Sequence, residues 1–264
     1  MDILKINELP ADLIHPNSVD DKFGGSKIVV IGKPGSGKST LIKSIMYQKK
    51  HLIPVCTVFS GTEDTNGFYS KFVPPTFIFN EYDEKQVDQF ITRQKKAIRK
   101  SKEDGSKLNP WSILLIDDCT DDTKVFTNPL QVGLYKRGRH WKMLYILSLQ
   151  YSLDIKPNIR TNIDGTFLLR ETGMKQRKQL WENYASIIPK FEDFCTIMDQ
   201  LTGDYTALYI DNTNYSGTND WKKSLYWYKA KIPPKDFKFG CDEIWHWHFS
   251  KFDPKADAML TTMA

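Results

Sequence analysis

The sequence predicts an α/β fold, with a mainly parallel central sheet flanked by helices and a β-rich C-terminal extension. Three observations predict it. Short, nearly continuous apolar runs recur along the chain, separated by polar stretches of helix length, as in a parallel sheet covered on both faces. The first of these runs passes through a glycine-rich turn straight into a helix-like segment. Beyond residue 204 the pattern changes to aromatic-rich segments separated by Asn, Gly and Ser.

Taken in order, residues 1–26 read as an irregular lead-in broken by Pro10, Pro16 and the Gly24-Gly25 pair. The core spans 27–204. Strands are predicted at 27–31, 54–59, 76–79, 112–117, 143–149 and 165–169, and helices at 39–49, 83–102, 128–137, 173–184 and 189–202. The basic stretch at 93–107 reads as a solvated helix end and loop. In the extension, 205–264, the segments 206–211 and 224–230 read as two strands joined by a polar turn. They would form a hairpin on the sheet edge or beside the glycine loop. The alternation Ile244-Trp-His-Trp-His-Phe249 predicts one more strand, with His246 and His248 on one face; two histidines alone are a weak metal site.

Composition bounds the function. Hydrophobic content of 40% and charged content of 26% are those of a globular protein. No apolar run approaches the roughly 18 residues a membrane span needs, so no transmembrane segment is expected. The N-terminus carries Asp2 and lacks the apolar core of a signal peptide. The four cysteines (Cys56, Cys119, Cys195, Cys241) form no C-x-x-C pair, which argues against a zinc knuckle and suits a reducing, intracellular compartment. Cys56 and Cys119 read as core thiols at strand ends. A net charge of +5 is compatible with a nucleic-acid partner without pointing to one.

The chemistry begins at Gly32-Lys33-Pro34-Gly35-Ser36-Gly37-Lys38-Ser39, a complete G-x-x-x-x-G-K-[ST] motif between a strand and a helix. Its backbone N–H groups can wrap the phosphates of ATP, helped by the positive end of the helix that continues through Thr40. Lys38 adds a point charge at the γ-phosphate, and the Ser39 hydroxyl can ligate Mg²⁺. The second motif is Ile113-Leu-Leu-Ile-Asp117-Asp118, four apolar residues running into two acids. A buried strand of this kind delivers Asp117 beside the loop to support Mg²⁺, and Asp118 to orient an attacking water. Third, Ser148-Leu-Gln150 closes the next strand, where a glutamine can donate to phosphate and accept from water. Fourth, Tyr135-Lys-Arg-Gly-Arg-His-Trp141 offers Arg137 and Arg139 as cations for a neighbouring subunit's γ-phosphate, with Arg160, Arg170 and Arg177 as competitors.

Together these motifs resemble the genome-packaging ATPases of large double-stranded DNA viruses, the poxvirus-type branch of the FtsK–HerA superfamily. The resemblance covers roughly residues 27–170, and its distinguishing parts are the Asp-Asp pair and the Arg-His ahead of the glutamine strand. It implies a RecA-like P-loop core, a homo-oligomeric ring, and ATP-driven movement of duplex DNA into a capsid. A capsid or portal partner, and a place at the host cytoplasmic assembly site or in the virion, follow from it too. It carries over Lys38 and Ser39 as phosphate and Mg²⁺ contacts, Asp117 as Mg²⁺ support, Asp118 as catalytic acid and Gln150 as sensor. Residues 205–264 match no motif of the family.

Two other classes stay open. A small-molecule or nucleoside kinase also uses a P-loop, and 170–178 could imitate its arginine-rich lid. Such a kinase needs no acid after the Mg²⁺ aspartate, because its substrate hydroxyl replaces water. A GTPase switch lacks support, since no Asn-Lys-x-Asp motif occurs. For a motor, 120–128 and the basic 93–107 are the expected DNA-facing segments, through phosphate contacts independent of sequence.

Overall fold

A computed structural model describes residues 5–119, 128–150, 155–214 and 220–251. Nine strands form one sheet in the order β1-β9-β8-β7-β2-β6-β5-β3-β4. They are β1 (Asn7–Glu8), β2 (Lys27–Ile31), β3 (Val55–Ser60), β4 (Ile78–Phe79), β5 (Ser112–Asp117), β6 (Met143–Leu149), β7 (Gly165–Leu168), β8 (Thr206–Asp211) and β9 (Leu225–Lys229). The strands from β7 through β4 run parallel, as the continuous apolar runs predict.

Alternation along each strand divides the apolar side chains between two layers. Val29, Ile31, Leu114, Ile116, Tyr145 and Leu147 face a cluster closed by four helices. These are α3 (Glu84–Ser101), α4 (Pro129–Arg137), α6 (Met174–Tyr184) and α7 (Phe191–Leu201). Ile28, Val30, Cys56, Val58, Ile113, Leu115 and Ile146 face the other layer, which holds α1 (Lys38–Lys49) together with Tyr69, Phe72, Phe237 and Phe239. Short helices α2 (Glu63–Asn66) and α5 (Pro157–Arg160) lie in the connections. Among the described residues no helix is long and apolar enough to cross a membrane.

The extension joins the same sheet. β8 pairs antiparallel with β7 and β9 antiparallel with β8, so the expected hairpin continues the sheet on the side of β2 away from β5. Three expectations need correction. The lead-in is not wholly irregular, because Asn7 and Glu8 pair in parallel with Tyr226 and Trp227. Only Ile78–Phe79 of the predicted 76–79 strand is extended, since Pro74 and Pro75 start a 3₁₀ turn over Pro75–Phe77. Residues 244–249 lie in helix α8 (Asp242–Lys251), not a strand. Asp242 and Glu243 favour its first turn, and Trp245 meets His248 and Phe249 at helical spacing. His246 and His248 are two residues apart on that helix and so do not share a face. No group of three His, Cys, Asp or Glu side chains suited to a metal ion occurs among the described residues.

Candidate nucleotide site

The glycine loop caps the carboxyl end of β2. Gly32 N–H donates to Leu149 O at 3.1 Å, tying the loop's start to the end of β6. Gly35 and Gly37 take φ of +73° and +100°, values that a side chain would resist. Lys33, Pro34 and Gly35 are exposed, Ser36, Gly37, Ser39 and Thr40 half-buried, and Lys38 buried as the first residue of α1. The Lys38 ammonium donates to Gly32 O at 3.1 Å, so the lysine folds back over its own loop. Its position at the helix start adds a full charge to the helix's partial positive end. A glycine loop running into a helix start, with a lysine cation beside it, is the arrangement that suits an anion.

Both acids of the second motif arrive at that point. Asp118 Oδ1 lies 3.5 Å from Lys38 Nζ, and Asp118 holds a left-handed φ of 50°. A non-glycine residue in that region is strained, and such strain concentrates where geometry serves chemistry. Asp117 is buried at the tip of β5, where Oδ2 accepts from Tyr69 Oη at 2.6 Å and from Ser39 Oγ at 3.4 Å. Burial holds the Asp117 carboxyl above its ordinary range, and the neighbouring Asp118 charge adds to this. Asp117 Oδ1 is buried without a well-directed hydrogen bond. A hydroxyl next to an under-satisfied buried carboxylate fits a hard divalent cation such as Mg²⁺, which takes few protein oxygens and completes its shell with phosphate and water. The strand between Asp117 and the loop is β6, whose next residue is Gln150. Gln150 shares a cleft of about 410 Å³ with Gly32, Leu169, Arg170 and Glu171.

A family model described as Poxvirus A32 protein matches residues 19–217. The chain belongs to this family. It is 50% identical over 246 residues to protein 088R of Invertebrate iridescent virus 3, covering 91% of each chain. It is 40% identical over 263 residues to protein 015R of Frog virus 3, covering 98% of this chain and 80% of that one. Among solved structures it resembles the genome packaging NTPase B204 from Sulfolobus turreted icosahedral virus 2 in complex with ATP-gammaS. That match has TM-score 0.52 and 20% identity, over 77% of this chain and 96% of the other. The conjugation coupling protein TcpA of pCW3, with ATPgS, matches with TM-score 0.57 and 16% identity, over 93% of this chain and 75% of that one. At these identities the likeness shows the fold, that of P-loop ATPases.

In this A32-family chain the candidate finger Arg139 lies far from the chain's own loop. Arg139 ion-pairs with Asp164, which also lies 3.5 Å from Lys27 Nζ and accepts from Lys27 N–H at 2.8 Å. Lys27 opens β2 and the loop closes it, a separation of roughly 16 Å at the usual strand rise. Arg139 therefore cannot serve its own subunit's phosphate. The guanidinium also sits 4.4 Å over the Phe23 ring and lines a cleft of about 650 Å³ with Lys102, Lys136 and Lys142. Arg137 is exposed, 5.7 Å over the Trp141 ring. Of the competitors, Arg160 lies 5.7 Å over Tyr184, and Arg177 is buried against Asp199 and Glu171 O. Arg170 bonds Thr202 O at the loop end of β7.

Sequence reasoning missed three A32-site neighbours. Tyr69 grips Asp117 from the β3–β4 connection, where its spacing to the motif carries no signal. Glu171 pairs with the loop residue Lys33 at 2.7 Å. Tyr205 reaches Gly37 from the start of β8. The only available clue to the last was the density of aromatics after residue 204.

Proposed function

We infer that the chain is an ATP-hydrolysing motor that moves viral double-stranded DNA into a capsid. The observation that carries this reading is the convergence of Lys38, Ser39, Asp117 and Asp118 on one cradle in a chain of the A32 family. ATP would lie with its β- and γ-phosphates in the loop Gly32–Ser39 and its α-phosphate near Thr40. Bound Mg²⁺ would supply charge neutralisation across the phosphates, with Ser39 and Asp117 as its protein oxygens. Lys38 stabilises charge developing on the γ-phosphoryl oxygens. Asp118, freed from Lys38 by the incoming phosphate, aligns the attacking water, and Gln150 reports on the γ-phosphate from the neighbouring strand.

The trans cation comes from Arg139 or Arg137 of an adjacent subunit, which makes a homo-oligomeric ring the working form. Contacts to DNA run through phosphates. Lys95, Lys96, Arg99, Lys100 and Lys102 of the 93–107 stretch are exposed, while 120–127 of the other expected segment lies outside the described residues. A capsid or portal component anchors the motor at the host cytoplasmic assembly site or in the virion.

The kinase reading is not favoured. Its lid would be 170–178, but Arg177 there is buried and locked to Asp199, and so is not free to close over a phosphate. Steady-state ATP hydrolysis, with and without long duplex DNA across a range of salt, tests the proposal. DNA stimulation that fades as salt rises is expected. Turnover that ignores DNA, or that needs a small hydroxyl acceptor, overturns it.

A further inference from the structure

The turn from α7 into β8 places an exposed aromatic ring against the glycine loop. Tyr205 is 57% exposed, yet its Cδ1 and Cε1 edge lies 3.3 and 3.8 Å from where a Cβ on Gly37 would stand. Asp204 and Tyr205 both take left-handed backbone, with φ of 47° and 58°. A bulky aromatic is poorly suited to that region, and asparagine or glycine would hold it with less strain. The turn is nevertheless firmly set. Thr206 N–H donates to Gly203 O at 2.9 Å, Ala230 N–H donates to Tyr205 O at 3.1 Å, and Lys229 pairs with Asp204 at 2.6 Å. The fold thus holds a strained tyrosine in place with its ring open to solvent beside the loop.

The sheet order gives the ring a polarity relative to a bound triphosphate. Asp117 and Asp118 sit on the β6–β5 side of β2, together with the Ser39 hydroxyl and the Lys38 ammonium. They mark the γ-phosphate end. The ribose and base must leave the loop on the opposite side, where β7 ends and β8 begins. Tyr205 stands there. A flat, exposed π-face beside the exit of the α-phosphate is what a nucleobase stacks on, and stacking of this kind tolerates any base.

We propose that Tyr205 is the stacking platform for the nucleobase of the bound nucleoside triphosphate. This gives the aromatic-rich extension a direct part in the site, and it rests on the reading of Gly32–Ser39 as a triphosphate cradle. The test compares MgATP-gammaS with inorganic tripolyphosphate by titration calorimetry on the full chain. Tyr205→Asn removes the ring but suits the left-handed backbone, and Tyr205→Phe and Tyr205→Trp keep a ring.

Tyr205→Asn should weaken MgATP-gammaS about tenfold and leave tripolyphosphate unchanged, whereas Phe and Trp should retain affinity. Fluorescence added by Tyr205→Trp over the wild-type background should be quenched by the nucleotide and not by tripolyphosphate. Equal loss for both ligands would overturn the proposal, because the ring would then only prop Gly37. Unchanged nucleotide affinity in Tyr205→Asn would overturn it as well. If wild-type protein bound neither ligand, the ATPase reading would fail first and this proposal with it.

Discussion

Asp118 stands 3.5 Å from the Lys38 ammonium, and its backbone is held in the left-handed region to put it there. At that distance the acid and the lysine partly neutralise each other. On the proposed function, a γ-phosphate competes for Lys38 and so releases the Asp118 carboxylate beside the attacking water. The charge that pairs with Lys38 would then become charge that works on that water.

Asp118→Asn should therefore bind ATP at least as tightly as the wild type, since the cradle loses a competing negative charge. It should lose turnover by a factor on the order of 10² or more, as removal of a well-placed catalytic group typically does. Lys38→Ala should lose both. Nucleotide titrations beside steady-state rates separate the two variants. Full activity in Asp118→Asn would remove it from the catalytic role.

Tyr69 donates to the same Asp117 oxygen that Ser39 approaches. Burial and the Asp117 charge hold its hydroxyl well above the ordinary phenol range, so it stays a donor at any working pH. Groups that orient a metal-supporting carboxylate commonly change affinity 10–100-fold when lost. Tyr69→Phe should raise the Mg²⁺ concentration for half-maximal hydrolysis about tenfold, while nucleotide binding in EDTA stays the same. An unchanged Mg²⁺ requirement would confine Tyr69 to packing.

Arg139 is tied to Asp164 at the far end of β2, so any catalytic use of it must cross a subunit boundary. Mixing two inactive variants tests this. Lys38→Ala subunits keep a good arginine and Arg139→Ala subunits keep a good loop. Mixed assemblies should recover part of the hydrolysis rate, because some sites then combine one intact half from each. Asp164→Asn, which breaks the ion pair but keeps the guanidinium, should lower Tm and spare the rate. No recovery on mixing, with recovery from Arg137→Ala instead, would transfer the role to Arg137.

Lys49 is buried at the end of α1, donating to Ala11 O, Pro16 O and Asn17 Oδ1. Burial lowers its pKa to about 8, against 10.5 for a free lysine. Between those values the unfolded chain binds the proton more tightly than the folded one. Stability contributed by this group therefore rises with pH from about 8 upward and is diminished below it. Chemical denaturation from pH 7.5 to 9.5 should show this rise in the wild type and a flatter profile in Lys49→Gln. Parallel profiles would mean that Lys49 titrates normally.

Much of the candidate nucleotide site could be read locally, because its parts are consecutive residues whose chemistry requires fixed spacing. The loop, its strand and its helix fell within a residue of where the sequence placed them, and so did the strand that delivers Asp117 and Asp118. The 244–249 segment misled because Trp-His-Trp-His alternates as a strand does, while helix α8 depends on its acidic first turn and on contacts such as Phe77 with Trp247. The pairing of Asn7–Glu8 with β9 was illegible for the opposite reason, since two polar residues carry no periodicity at all.

The sequence by itself determined the parallel core, the glycine loop between strand and helix and the two acids beside it, since each depends on neighbours along the chain and on alternation within a strand. Only the tertiary structure decided that Tyr69 would grip Asp117, that Arg139 would stand at the far end of the sheet from its own loop, and that Tyr205 would reach Gly37. Those relationships depend on strand order. Placing β6 between β2 and β5, and β8 beyond β7, brings together side chains far apart in sequence. No local pattern records that order, because it is set by which faces can be buried together in two layers around one sheet.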